Sequence, residues 1–169
     1  MHDHVDHEPL EVRYVSEQGL RGERGPRLLR YLLHHGADEF SITVMALRDT
    51  PAPFVDAFED ELGPYERSLA WRRVVVDAES QERVCSVRLW TFNEASLERL
   101  LSFVDEGLFH WPAGPDGWFE DLTLYRRGEL VLGLVSHEQE GVLRLTRGEL
   151  AEVTALDIPF GTTAEWIGF

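Results

Sequence analysis

The 169-residue chain carries 31 acidic against 16 basic residues, a net charge of −15, and 43% of its residues are hydrophobic. Length and apolar content fit one domain with its own core. Acidity on this scale disfavours a nucleic-acid partner, since such binding is driven by Lys and Arg neutralising phosphates, and none is expected.

No apolar run approaches the ~18 residues of a membrane span, and the acidic, His-rich start is unlike a secretory signal. A cytoplasmic location without membrane contact is therefore expected. All 16 basic residues are arginine. A lysine-free chain cannot form a Schiff base, complete a Gly-Lys-Ser/Thr phosphate loop or build a protein-kinase site. Coding bias in a GC-rich genome explains the arginine usage, and the chemical consequence holds regardless. Cys85 is the single cysteine, which excludes an internal disulfide and a cysteine-rich zinc site. Its β-branched, apolar neighbours predict a buried, inert thiol. No cofactor is expected.

Residues 1–9 read as a flexible, His- and acid-rich N-terminus. His2, His4 and His7 are candidate metal ligands there, although nothing nearby orients them and a terminus is usually mobile. Residues 10–169 read as one α+β domain. Leu10–Ser16 alternates as a half-exposed strand, and Gly19–Pro26 forms a loop carrying Arg21 and Arg24. Pro26 opens a helix with Leu28, Leu29, Leu32 and Leu33 as its buried stripe, ending at Gly36. Histidines 34 and 35 then complement the dipole of its last turn.

Glu39–Leu47 is a second strand. The following stretch, 49–66, holds six acids and no basic residue. Its helix, 54–62, buries Phe54, Val55, Phe58 and Leu62 and leaves Asp56, Glu59 and Asp60 as an acidic ridge. A solvated helix face accounts for any one of these acids; together they form a candidate partner-binding surface.

Ser68–Val76 and Glu82–Phe92 read as a hairpin. Asn93 is a good N-cap for the next helix, which should end at Gly107, with Leu97, Leu100, Leu101 and Val104 buried. The loop 107–120 packs Phe109, Trp111, Trp118 and Phe119 among prolines and glycines. Either these aromatics pin a long loop to the core, or Phe109, Trp111 and Trp118, rimmed by Glu120 and Asp121, make an aromatic hot spot for a protein partner.

Residues 121–146 read as three successive strands. The middle one, around Leu130–Val135, has no polar face and belongs inside a sheet. It ends in Ser136-His137-Glu138, where His137 is a candidate general base with Glu138 beside it. Neighbours on a strand point to opposite faces, so this trio can equally cap a turn. Thr146 and Glu149 form a capping box for the last helix, and the apolar tail 160–169 should dock on the core. The expected architecture is a largely antiparallel, twisted sheet flanked by about four helices, with a three-strand meander leading into a capped helix.

No zinc-protease, dithiol, nucleophile-elbow or dinucleotide motif is present. The run LYRRGELVLGLVSHEQEGVLRL, followed by a capped helix, resembles segments of small acidic bacterial immunity-type and uncharacterised cytosolic proteins. The resemblance spans about 30 residues and implies a single-domain, non-enzymatic protein that binds and silences a toxin enzyme; it transfers no site residue. The residues themselves leave three readings open: a non-enzymatic module sequestering a basic protein, a small hydrolase using His137, and a homodimeric structural protein.

Overall fold

The computed structural model describes residues 8–104 and 106–162. Its strands are β1 (Glu11–Ser16), β2 (Glu39–Leu47), β3 (Glu66–Val76), β4 (Glu82–Thr91), β5 (Ala113–Gly114), β6 (Gly117–Arg126), β7 (Glu129–Val135) and β8 (Glu140–Leu145). They form one antiparallel sheet in the order β1-β8-β7-β6-β2-β4-β3, with β5 added beside β6. The α-helices are α1 (Arg24–His34), α2 (Pro53–Leu62), α3 (Glu94–Ser102) and α4 (Arg147–Ala155). The α+β class, the open antiparallel sheet and the C-terminal meander closing into α4 are as the sequence predicts.

Leucines of α1, Phe58 of α2, Leu97 of α3 and Val153 of α4 join the inward residues of six strands in one core. Those inward residues, such as Phe40, Trp90, Phe119, Leu124, Leu132 and Leu143, share a face, because alternate side chains of a strand point to opposite sides. The helices therefore lie together on one side. The other side carries Thr43, Val87, Leu89, Thr123 and Val142, all half-exposed, as one face of an antiparallel sheet commonly is.

At one end of the sheet the helix layer stops before the strands do. Every residue of β3 is exposed except the half-buried Val75. Across the sheet, the outer side of β1 is occupied: the Tyr14 N–H donates to the Gly161 carbonyl at 2.9 Å, and the Gly161 N–H returns a bond at 2.8 Å.

Helix α1 begins at Arg24 and β3 at Glu66, two residues before the sequence reading places them, and two further boundaries differ more. Helix α3 ends at Ser102, well before Gly107, and Phe103 and Val104 still pack against the core from the segment that follows. Strand β6 begins at Gly117, so the last four residues of the aromatic loop are sheet. Glycine and proline broke the pattern there, yet Gly117 is the residue that permits pairing, since a Cβ on it would lie 2.1 Å from the Met45 carbonyl oxygen of β2.

The capping box of α4 forms as expected: Thr146 Oγ1 accepts from the Glu149 N–H at 3.2 Å, and Glu149 Oε2 accepts from the Thr146 N–H at 2.9 Å. Glu149 also meets the Arg126 guanidinium at 2.8 Å. Burial opposes ionisation of Glu149, but the Thr146 N–H and Arg126 outweigh it and hold the carboxyl below its ordinary value of 4.5. A depressed carboxyl stabilises the fold above its unfolded-state value, and the stabilisation is lost as pH falls through the lower folded-state value. Denaturant unfolding of the native chain and Glu149→Gln should therefore show the native chain ahead at neutral pH and the gap closing below pH 4.5.

Candidate functional site

The acidic ridge is present, but the tertiary structure neutralises part of it. Glu59 meets Arg88 of β4 at 3.1 Å, and Arg88 also holds Glu66 at 2.6 Å. Glu61 meets Arg99 of α3 at 3.3 Å. Asp56 and Asp60 are exposed on the outer side of α2 and make no ion pair among the described residues. Burial raises the Glu59 carboxyl above its ordinary value against the opposing pull of Arg88, so Glu59 sits at the lip of the core.

Between α2 and the strands β2, β4 and β3 runs an open groove of about 630 Å³. Val44, Val55, Val74 and Val84 line it together with Asp49, Asp56 and Glu59 and with the arginines Arg48, Arg72 and Arg88. The groove exists because α2 covers β2 and β6 and leaves the β3–β4 hairpin projecting. No alternation in the β3 sequence ERSLAWRRVVV gives it one buried face, and that was the signal in the chain for an uncovered strand.

The aromatic loop divides between the two sides of the sheet. Phe109 is 5% exposed and belongs to the core, and Trp111 packs against that core while its indole N–H donates to the Leu108 carbonyl at 3.0 Å. Phe119 stacks on Phe58 with ring centroids 4.0 Å apart. Its neighbours Trp118 and Glu120 must then point away from α2. They lie on the uncovered side, where the Arg83 guanidinium sits 4.5 Å from the centre of the Trp118 ring and the indole N–H reaches Glu120 Oε2 at 3.3 Å. Burial, with help from Asp121, raises the Glu120 carboxyl. The sheet thus separates the two halves of the surface read from sequence: Asp56, Glu59 and Asp60 on one side, Trp118 and Glu120 on the other.

Asp116, which the sequence reading passed over, links the loop to the ridge. It is buried, and its Oδ2 accepts from the Phe54 N–H at 2.9 Å. Ala52, at the N-cap position of α2, has no side-chain acceptor, so Asp116, 62 positions beyond Phe54, supplies the cap. Only spacing within the chain makes a cap legible in sequence, and this one has none.

Asp121 and Ser136 form a clamp. The Asp121 N–H donates to Ser136 Oγ at 2.9 Å and the Ser136 N–H to Asp121 Oδ1 at 2.8 Å. Asp121 has φ 59°, a left-handed conformation that aspartate tolerates better than most residues. Ser136, His137 and Glu138 form a 3₁₀ turn. The side chain of His137 is 68% exposed, with its Nε2 3.8 Å from Glu138. Ser136 Oγ accepts from the Asp121 N–H in the clamp.

Cys85 is buried, and burial pushes its thiol up despite partial relief from Arg73, the state of an unreactive cysteine. His110 meets Glu17 at 3.1 Å, tying the aromatic loop to the segment after β1. A second cavity of about 660 Å³ is lined by His35, Arg126, Arg127, Val131 and Thr146 together with Glu8, Leu10 and Glu129. Histidines 2, 4 and 7 lie outside the described residues, within which no group of three or more metal-ligating side chains converges. Among the described residues no helix is long and apolar enough to cross a membrane. Comparison with known proteins gives no significant match to a family model, a curated protein or a solved structure.

Proposed function

We propose that the chain is a non-enzymatic binding module that sequesters a basic protein, in the manner of an immunity or inhibitor protein, through the α2 side of the sheet. The observation that carries this reading is the pairing state of α2. Asp56 and Asp60 stand exposed and make no ion pair among the described residues, beside a groove lined by four valines among charged residues of both signs, on a chain of net charge −15. Apolar side chains set among charged ones are ingredients of a protein-binding patch, and the long-range field of the chain steers a basic partner toward it.

The test is to capture the partner from the native host and measure its affinity for the native chain and for the double variant Asp56→Arg/Asp60→Arg. Each measurement is made at low and high salt. The native affinity should fall by about tenfold or more across that salt range, and the double variant should bind weakly at both. His137→Ala should bind like the native chain. Equal affinities at both salt concentrations, or an unaffected double variant, would sink the reading.

A further inference from the structure

We infer that the β3 edge is the contact between two copies of this chain, paired antiparallel about Leu69 into one continuous sheet. This inference concerns the strand edge next to the groove, whose lining it shares through Arg72 and Val74, and it does not depend on the acidic-ridge reading. β3 has eleven residues, hydrogen-bonds only to β4 among the described residues, and leaves Leu69, Trp71, Val74 and Val76 between 41% and 66% exposed. A strand edge of this length with an apolar surface is a template for another strand.

Four observations select a second copy as the occupant. First, the strand is self-complementary. Pairing about Leu69 sets Glu66 opposite Arg72, Arg67 opposite Trp71, Ser68 opposite Ala70, and Leu69 against its own copy. Glu66 and Arg72 oppose Trp90 and Ser86 on β4, residues two strand periods apart whose side chains face the helices, so the ion pair forms on one side of the joined sheet. Second, Arg72 makes no ion pair among the described residues, although the chain has nearly twice as many acids as arginines. Arg72 is thus available to the partner's Glu66, whose Oε1 already holds Arg88 at 2.6 Å within its own chain and whose other oxygen would take the second arginine.

Third, Leu69 is 46% exposed, and on the dyad it meets its own copy, so both chains cover apolar surface there. Fourth, the opposite edge is occupied, since Gly161 pairs with Tyr14 on the outside of β1. Head-to-tail growth of β3 onto β1 is blocked there, and an isologous β3 pair closes as a dimer.

Sedimentation of the full chain from about 1 to 100 µM tests this, since dimers of ordinary affinity dissociate within that range. The native chain should sediment as a monomer–dimer equilibrium. Arg72→Glu opposes Glu66 with a second carboxylate in both symmetry copies and should weaken the dimer by about tenfold. Arg72→Glu combined with Glu66→Arg should restore it, with Glu59 still holding Arg88 inside each protomer. Circular dichroism and melting of each variant establish that the fold is retained. A native chain that stays monomeric throughout the range overturns the proposal. So does a dimer indifferent to Arg72→Glu, or a folded double variant that fails to recover, or assembly that continues past the dimer.

Discussion

Gly117→Ala is expected to destabilise the protein by about 3 kcal/mol or more, at the upper end of what overpacking costs. The added Cβ would stand 2.1 Å from the Met45 carbonyl oxygen, 2.8 Å from Val55 Cγ2 and 3.1 Å from Ala46 Cα. Two of those three atoms are backbone of β2, and Gly117 pairs directly with Ala46. No rotamer change relieves the contact; the strands must part. Parting them also strains the bond from the Leu47 N–H to the Asp116 carbonyl at 2.9 Å, and Asp116 caps α2. One methyl group therefore loosens the β2–β6 pairing and the start of the helix over it. Gly63→Ala is the control, because a Cβ there meets open space, and its unfolding free energy should stay within about 0.5 kcal/mol of the native chain. Chemical denaturation of both variants measures the difference. A Gly117→Ala protein as stable as the control would mean that β2 and β6 are not joined in this register.

Phe58→Ala is the other large effect, expected at about 4 kcal/mol, or a fall of about 10 °C in melting temperature for a chain of this size. Phe58 is fully buried. Its ring lies 4.0 Å from that of Phe119, 4.8 Å from Phe103 and 6.1 Å from Trp90. It is the side chain through which α2, the segment after α3, β4 and β6 meet. Truncation removes its transfer free energy and leaves a cavity walled by three rigid rings that cannot collapse into it. Thermal unfolding with Phe58→Leu alongside separates the two contributions, since leucine restores most of the apolar volume and should recover about half of the loss. A loss below about 1 kcal/mol would place Phe58 outside the core.

The acidic ridge and the β3 edge occupy neighbouring parts of the same side of the molecule, since Arg72 and Val74 of β3 line the groove beside α2. Pairing about Leu69 brings two such grooves next to each other across the dyad. A dimer would then offer a basic partner two acidic patches on one face, and avidity rises when both engage together.

Much of the fold was legible because its signals are local. The apolar run at Leu130–Val135 announced an interior strand, and β7 lies between β6 and β8. Asn93 and Thr146 announced helix starts, and both cap as their neighbours imply. The stripe of Leu28, Leu29 and Leu32 announced a buried helix face. Each of these depends on residues within about one turn or a few pleats of each other, so order along the chain is enough to read them.

The candidate site was less legible because its state depends on partners far along the chain. Sequence identified Asp56, Glu59 and Asp60 as one ridge; only the fold brought Arg88 to Glu59 and left Asp56 and Asp60 without an ion pair among the described residues. It grouped Phe109, Trp111 and Trp118, and the sheet buried the first, pressed the second on the core and turned the third to the opposite side.

Composition, charge and short-range pattern by themselves determined an acidic, lysine-free α+β chain with its helix starts and interior strands. Tertiary structure alone decided which acids stay exposed and uncompensated, which aromatics are core, and that β3 is left uncovered. The reason is physical: capping and amphipathic pattern act over a few residues, whereas desolvation, ion pairing and strand coverage are set by whatever the fold brings alongside.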